Sequence, residues 1–523
     1  MPQRITRSNL KKLKSLSHRY QPKELYYKVR EKLSAPYQDY GDKLSSYLPT
    51  PEELKRQCGT SLAYAPLVSI VVPTYETPEQ FLCQMIDSVT AQTYHNWELC
   101  IADGSDSEQV ERVIREQYGQ ESRIRYRRLD ENGGISVNTN QGFAFAAGEY
   151  IALLDHDDLL VPSALYEMVH CINETGADFL YSDEDKVSAD LSQYMEPHFK
   201  LAFNGELLLG NNYICHFLMV KKELLDRVGG LDSRYDGAQD FDLVLRLSEQ
   251  AARIEHVPRI LYHWRVHSGS TAGNTDSKLY AYEAGKRAVE ASLKRRGFQG
   301  TVRMDNDLGF YRIRYQVPKD ITVGVCAWLG TEKENSVNIP VGLRKNIEQE
   351  LSSCQAKILW DYQPGQEADF VLVLNMAVRK IAEGSIAALL GSCARPGVGM
   401  TGSKSISHGK VLQCGYWDKK GSLKPRFAGL PRHFKGYFRR AFLAAQVDMV
   451  SADLTVISGT ALQSVQADPA VQAELSSQAD PASHVKQSAC IDNRQTWQSF
   501  GCQMRAAGYR IIVEPQAEVT VRD

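Results

Sequence analysis

The run EYIALLDHDD places Asp155, Asp157 and Asp158 directly behind apolar residues, and there the sequence is densest in chemistry. Three carboxylates so close repel one another, and a divalent cation with oxygen ligands, Mn²⁺ or Mg²⁺, relieves the repulsion. Magnesium keeps part of its shell for substrate phosphates, which suits a nucleotide diphosphate. The same residues also suit a cap for a helix opening near Pro162. Gln239-Asp240-Phe241-Asp242 precedes the helical LVLRL. Asp240 there fits either a helix cap or a general base, a role that needs reach to a hydroxyl rather than an extreme pKa. Tyr262 to Ser270, YHWRVHSGS, mixes cationic, aromatic and imidazole groups with Ser and Gly. It reads as a mobile loop that sets Arg265 on a phosphate and a His on the metal. Ser182-Asp183-Glu184-Asp185 reads as a solvated turn, with contact to an acceptor sugar as its alternative. Asn132-Gly133-Gly134 reads as a glycine-bearing loop near phosphates or as a plain turn.

These residues need a frame to hold them. LVSIVVPTY is a continuous apolar run ending at Pro73-Thr74-Tyr75, as a buried parallel strand reads. A helix is expected over Glu79 to Gln92, then a strand WELCIAD ending at Asp103. A helix over Glu108 to Tyr118 follows, then the strand IRYRRL, a helix containing Asn140 and Gly142, and the strand EYIALLD. Strands alternating with helices predict a parallel α/β sheet with right-handed crossovers. Ligands of such sheets lie beyond the carboxyl ends of the strands, where Thr74, Asp103 and Asp155 stand. A second cycle opens near Ile321 with ITVGVCAWL, continues in DFVLVLN and closes with RIIVEP. EYIALLDHDD aligns with DFVLVLNMAV, and DFDLVLRLSEQAARIEHVP with WQSFGCQMRAAGYRIIVEP, so the chain reads as two related domains in tandem. The expected division is a basic helical extension over 1–66, a catalytic domain over 67–318 and a degenerate copy over 319–523.

The whole-chain numbers bound the function. With 523 residues and 61 Lys+Arg against 63 Asp+Glu, the chain is long enough for several domains and carries a formal charge of −2. That balance argues against a nucleic-acid binder. Eleven cysteines, none in a C-x-x-C pair, speak against a disulfide framework or a thiolate zinc site. No stretch of about 18 apolar residues or signal-peptide pattern is present, so the expectation is a cytoplasmic, multidomain protein. Residues 1–20 hold six Lys and Arg and no acid, with Leu10, Leu13 and Leu16 among them. This segment fits peripheral contact with the cytoplasmic face of the inner membrane, or a solvated helix packed on the body.

Taken in order and spacing, residues 67 to about 300 resemble the inverting family 2 glycosyltransferases of the GT-A fold. The pieces that carry the resemblance are VSIVVPTYETPEQFLCQMIDSVTAQTYHNWELCIADGSD, ENGGISVNTNQGFAFAAGEYIALLDHDD, GAQDFDLVLRL and YHWRVHSGSTA. The resemblance implies that Pro73, Thr74, Tyr75 and Asp103 line a nucleotide pocket. It implies that Asp155 contacts the ribose or sugar, that Asp157 and His267 bind the metal, and that Asp240 is the catalytic base. Asp155 is counted with the metal group as well. Glu76, Asn132, Gly133, Asn140, His156 and Arg265 complete the expected nucleotide-sugar site, and Asp183, Glu184, Trp264 and Gln239 the acceptor side. The family's usual Glu-Asp is Gln239-Asp240 here, and Glu76 replaces a common Asn. The resemblance implies a nucleotide-diphosphate sugar donor, a saccharide or lipid-linked acceptor, and surface polysaccharide synthesis such as O-antigen or capsule. In the second copy Asn375, Ala377 and Val378 stand for the three aspartates, and Trp497 for Asp240. The competing reading is a non-catalytic scaffold with both domains inactive; the kept Asp157, Asp240 and His267 speak against it. A glycosidase would instead pair two carboxylates across the bond without a nucleotide pocket.

Overall fold

The computed structural model describes residues 22–34, 36–267, 279–328, 339–360, 362–363, 365–466 and 494–522. The basic segment 1–20 and Ser268-Gly269-Ser270 lie outside them. The chain forms two compact units, one of Pro36–Arg296 with Asp307–Tyr311, the other of Gly297–Asn306 and Arg312–Asp523 with the helix Pro22–Leu33.

In the first unit the strands are β1 (Val68–Thr74), β2 (Trp97–Asp103), β3 (Ile124–Arg128), β4 (Tyr150–Leu153), β5 (Leu159–Leu160), β6 (Phe179–Ser188), β7 (Tyr194–His198), β8 (Leu218–Lys221) and β9 (Ile254–Val266). Their order is β3-β2-β1-β4-β8-β6-β9-β5, with β7 beside β6. The half read as parallel is parallel: β3, β2, β1 and β4 run together. Beyond it the sheet is mixed, because β8 runs antiparallel to both β4 and β6, while β6 and β9 are parallel.

Every residue of β1 and β2 is buried, since helices cover both faces. The helix Glu79–Thr90 buries Leu82, Met85, Ile86 and Val89, one stripe at helical spacing, against Ile70 and Val72. Pro73 sits inside β1 without breaking the sheet. The pairing of β1 with β4 ends at Val71, so the missing N–H of Pro73 costs no ladder bond on that side.

Two expectations change here. Ser182 to Asp185 do not form a solvated turn but lie in β6, buried. Tyr262 to Val266 do not form a loop either; they are the end of β9, and His267 follows directly.

The second unit repeats this connectivity. Its sheet runs Lys357–Trp360, Thr322–Trp328, Phe370–Asn375, Leu454–Ser458, Val398–Ser407, Arg510–Val521, Val378–Ile381. These match β2, β1, β4, β8, β6, β9 and β5 in order and in the sense of each pairing. Lys410–Gln413 beside Val398–Ser407 matches β7. Among the described residues, β3 has no counterpart.

Candidate active site

The parallel register sets Thr74 opposite Asp103 at the carboxyl ends of β1 and β2. The Asp103 carboxylate accepts from Thr74 Oγ1 at 2.9 Å, Ser105 N at 3.1 Å, Ser105 Oγ at 2.6 Å and Tyr126 OH at 2.8 Å. It is wholly buried, and its donors come from both neighbouring strands. Tyr75 is exposed and donates to Asp106 at 3.1 Å. Glu76 accepts from the backbone N–H and the hydroxyl of Ser107, both at 2.8 Å, and these bonds hold its carboxyl below the ordinary range. Thr77 Oγ1 and His156 Nδ1 meet at 2.9 Å, joining the β1 end to the aspartate run.

The glycine-bearing loop caps the helix Ile135–Phe145. Asn132 Oδ1 accepts from Gly134 N at 3.0 Å and Asn138 Nδ2 at 2.9 Å, while Gly133 N donates to Asn138 Oδ1 at 3.1 Å. Gly134 takes φ +85°, a conformation side-chain-bearing residues avoid. Asn140 is turned elsewhere. Its amide clasps the backbone of Leu231 through two bonds of 2.8 Å, and a Cβ on Gly230 would stand 2.4 Å from its oxygen.

Beyond β4 the three aspartates separate in role. Asp158 is fully buried and accepts from Tyr262 OH at 2.5 Å and Arg265 N at 2.7 Å, bracing the run against β9. Burial, with Asp157 and Asp155 close by, pushes its carboxyl well up. Asp157 Oδ2 meets His267 Nε2 at 2.7 Å, so the pair expected from sequence to hold the metal is in contact. Asp155, half-buried, has a carboxyl raised by burial, with His216 pulling it down and Asp157 pushing it up. Asp155, Asp158 and His216 each bring a ligand atom within 4.8 Å of the others. Two imidazoles thus flank the aspartates. Asp155, Asp158 and His216 offer the carboxylate oxygens and ring nitrogen of a candidate divalent-cation site.

Asp240 lies in the first turn of the helix Gln239–Gln250, where the helix dipole favours a negative charge. Asp242, the other acid of that turn, pairs with Arg246, which also grips the carbonyls of Val228, Gly229 and Gly230. Asp240 Oδ2 accepts from Asn212 Nδ2 at 2.9 Å. Burial raises its carboxyl, the nearby His216 lowers it and Asp155 raises it again. Gln239 folds back onto Gly237 N at 2.8 Å.

The carboxylates of β6 face protein groups. Asp183 accepts from Lys200 N and from His256 Nε2, both at 2.7 Å. Glu184 accepts from Lys200 Nζ at 3.2 Å and His216 N at 3.1 Å, with His198 Nδ1 at 3.3 Å. Burial alone would push Glu184 up, but Lys200, His198 and His216 hold it down at about 2. Lys200 Nζ, with no exposed side-chain surface, also donates to the carbonyls of Ile214 and His216. The pair therefore fastens the segment that carries Asn212 and His216. Trp264 packs edge-on to His216, and Tyr262 stacks on it at 4.7 Å. Arg265 is fully buried over Phe81 and donates to Gln84 at 2.5 Å; among the described residues its Nε and Nη2 have no partner.

His216, Asn212 and Lys200 escaped the sequence reading. They sit in NNYICH and PHFK, short polar stretches whose only signal is that they precede or follow a strand.

In the second unit Asn375 donates to Asp453 at 3.3 Å, and Ser405 and Ser451 close on the other Asp453 oxygen at 2.5 and 2.9 Å. Trp497 is buried, donates to Val450 O at 2.7 Å and stands 5.7 Å from Trp328.

The family model described as "Glycosyl transferase family 2" matches residues 69–229. The chain is 42% identical over 238 residues to the protein y4gI of Sinorhizobium fredii, covering 45% of this chain and 26% of that one. It is 37% identical over 258 residues to the O-antigen biosynthesis protein RfbC of Myxococcus xanthus, covering 49% and 20%. To the chondroitin synthase of Pasteurella multocida it is 30% identical over 211 residues, covering 40% and 21%. The chain spans about a fifth to a quarter of the length of these relatives. The matched stretch carries Asp103 and Asp155, and over it the chain is similar to glycosyl transferase family 2.

Proposed function

We propose that this chain moves one sugar from a nucleotide-diphosphate sugar to a hydroxyl of a saccharide or lipid-linked acceptor, with inversion, in the assembly of a surface polysaccharide such as O-antigen. The observation that carries the reading is Asp240 at a helix start, held by Asn212 at 2.9 Å, in the same unit as the Asp157–His267 pair at 2.7 Å beyond β4. A base and a donor site must face one reacting carbon, and in this reading Asp240 and the β4 aspartates take those roles.

Asp157 and His267 would hold Mn²⁺ or Mg²⁺, with His216 and Asp155 on the other side of the run. When bound, the ion offsets charge on the leaving diphosphate. Asp103 and its donors support the nucleotide, and Asp155 orients the ribose or sugar. Asp240 takes the proton of the acceptor hydroxyl as that oxygen attacks the anomeric carbon. The new C–O bond forms on the face opposite the departing phosphate oxygen, so one displacement inverts the centre. The unit of residues 319–523 is non-catalytic in this reading, and residues 1–20 supply peripheral contact with the inner membrane. Among the described residues, no helix is long and apolar enough to cross a membrane.

The test is Asp240→Asn assayed beside wild type with a panel of nucleotide sugars and Mn²⁺. Loss of transfer with donor binding retained is expected. Turnover in that variant would remove Asp240 from the role, and a wild type that binds no nucleotide sugar would favour the scaffold.

A further inference from the structure

In the second unit residues 408–453 stand where 189–217 stand in the first, between the counterparts of β6 and β8, and the segment is longer. From Lys419 to Val447 it contains eight Lys and Arg and no acidic residue. Part of it forms a separate two-stranded sheet, Tyr416–Lys419 against Ser422–Pro425.

The register of that hairpin sorts its side chains. Trp417 pairs with Lys424 and Lys419 with Ser422, and cross-strand partners and alternate residues share a face. One face therefore presents Trp417, Lys419 and Lys424 together. Lys419, Lys420 and Lys424 are exposed. The Arg426 guanidinium lies 4.9 Å from the Trp417 ring and 5.0 Å from Phe427, is 3% exposed, and among the described residues has no partner at Nε and Nη2. Trp417 stays half-exposed outside the apolar cluster that takes in its neighbours Tyr416, Leu423 and Phe427. A large indole kept out of the core costs burial that a partner would recover.

We propose that this hairpin face binds an anionic saccharide, with a sugar ring on the Trp417 indole and its carboxylate or phosphate between Lys419 and Lys424. A flat apolar ring beside exposed lysines matches a pyranose that carries a charge, whereas a neutral sugar leaves the lysines unused. The lack of apolar side chains at the Lys420-Gly421 tip favours a saccharide over a lipid surface, which would ask for a group to insert. This inference does not depend on the first unit's activity.

The experiment is affinity electrophoresis and calorimetry of the full chain with hyaluronate oligosaccharides, neutral cello-oligosaccharides of equal length, and phosphatidylserine vesicles. The expected result is retention by hyaluronate alone, weakening as salt rises. Trp417→Ala and the double variant Lys419→Gln, Lys424→Gln should each weaken it by about tenfold or more, and Trp417→Phe should largely preserve it. Thermal unfolding curves matching wild type establish that the variants fold. Equal binding of the neutral oligosaccharide, no binding of hyaluronate, retention unchanged in the folded variants, or vesicle binding indifferent to Trp417 would each overturn the proposal.

Discussion

At the scale of single residues, the proposed mechanism rests turnover on Asp240 and its partner Asn212. The amide of Asn212 fixes one carboxylate oxygen at 2.9 Å, so the other is left aimed. Asn212→Asp keeps the volume and replaces the donor by a second acid. We expect kcat to fall by about 10²-fold with donor KM little changed, read by initial rates; equal losses in kcat and KM would instead mark a distorted donor pocket. The base must be ionised, and burial raises its carboxyl above the ordinary 3.8. Activity should therefore decline on acidification at a pH above that value. His216 pulls the group down, so His216→Gln should move the decline to still higher pH, measured as kcat/KM profiles. An unmoved profile would show that the imidazole does not act on the base.

At the scale of elements, β6 is a buried strand bearing three carboxylates, stable only because cations and imidazoles from elsewhere meet them. Lys200 follows β7, while His256 and His263 sit on the neighbouring β9, the latter 2.5 Å from Asp185. Glu184 has its carboxyl depressed from 4.5 to about 2, so its stabilisation is fully present above 4.5 and is lost as pH falls toward 2. Glu184→Gln should cost about 3 kcal/mol at neutral pH, and the difference from wild type should shrink below pH 4.5 in urea titrations. A difference constant with pH would mean that the ionised form is not what the fold uses. This strand also shows where sequence reading stops. The bounds of β2 were legible to the residue, Trp97–Asp103, because a run buried on both faces needs no partner to be recognised. Ser182 to Asp185 read as a turn because charge signals solvent, and the groups that reverse that signal lie far along the chain. The site divided the same way: Asp157 and His267 were legible as a pair, while His216 and Asn212 acquire meaning only from the fold that carries them to Asp155 and Asp240.

At the scale of the whole molecule, two sheets of like connectivity carry unlike residues at corresponding places. The bonded Asn375–Asp453 group occupies the second unit's strand ends and Trp497 its helix Arg494–Ala506, so calorimetry with the preferred nucleotide sugar and Mn²⁺ should give one site per chain. Asp157→Ala should abolish that site; two sites in wild type would assign a donor pocket to the copy. Repeating a sheet within one chain also raises a hazard during folding, because each outer strand offers unpaired N–H and C=O groups to any matching edge. The outer strand β3 reads IRYRR. Its Arg125 holds Glu98 at 2.8 Å, Arg127 lies 4.5 Å from the Phe145 ring, and Arg128 donates to Asp106 O at 3.0 Å. The second sheet ends on Lys357–Trp360, with Lys357 exposed and Arg344 4.1 Å from the Trp360 ring. Charged side chains on such outer strands oppose edge-to-edge pairing, so replacing Arg127 and Lys357 by Val should raise aggregation during refolding, read by light scattering.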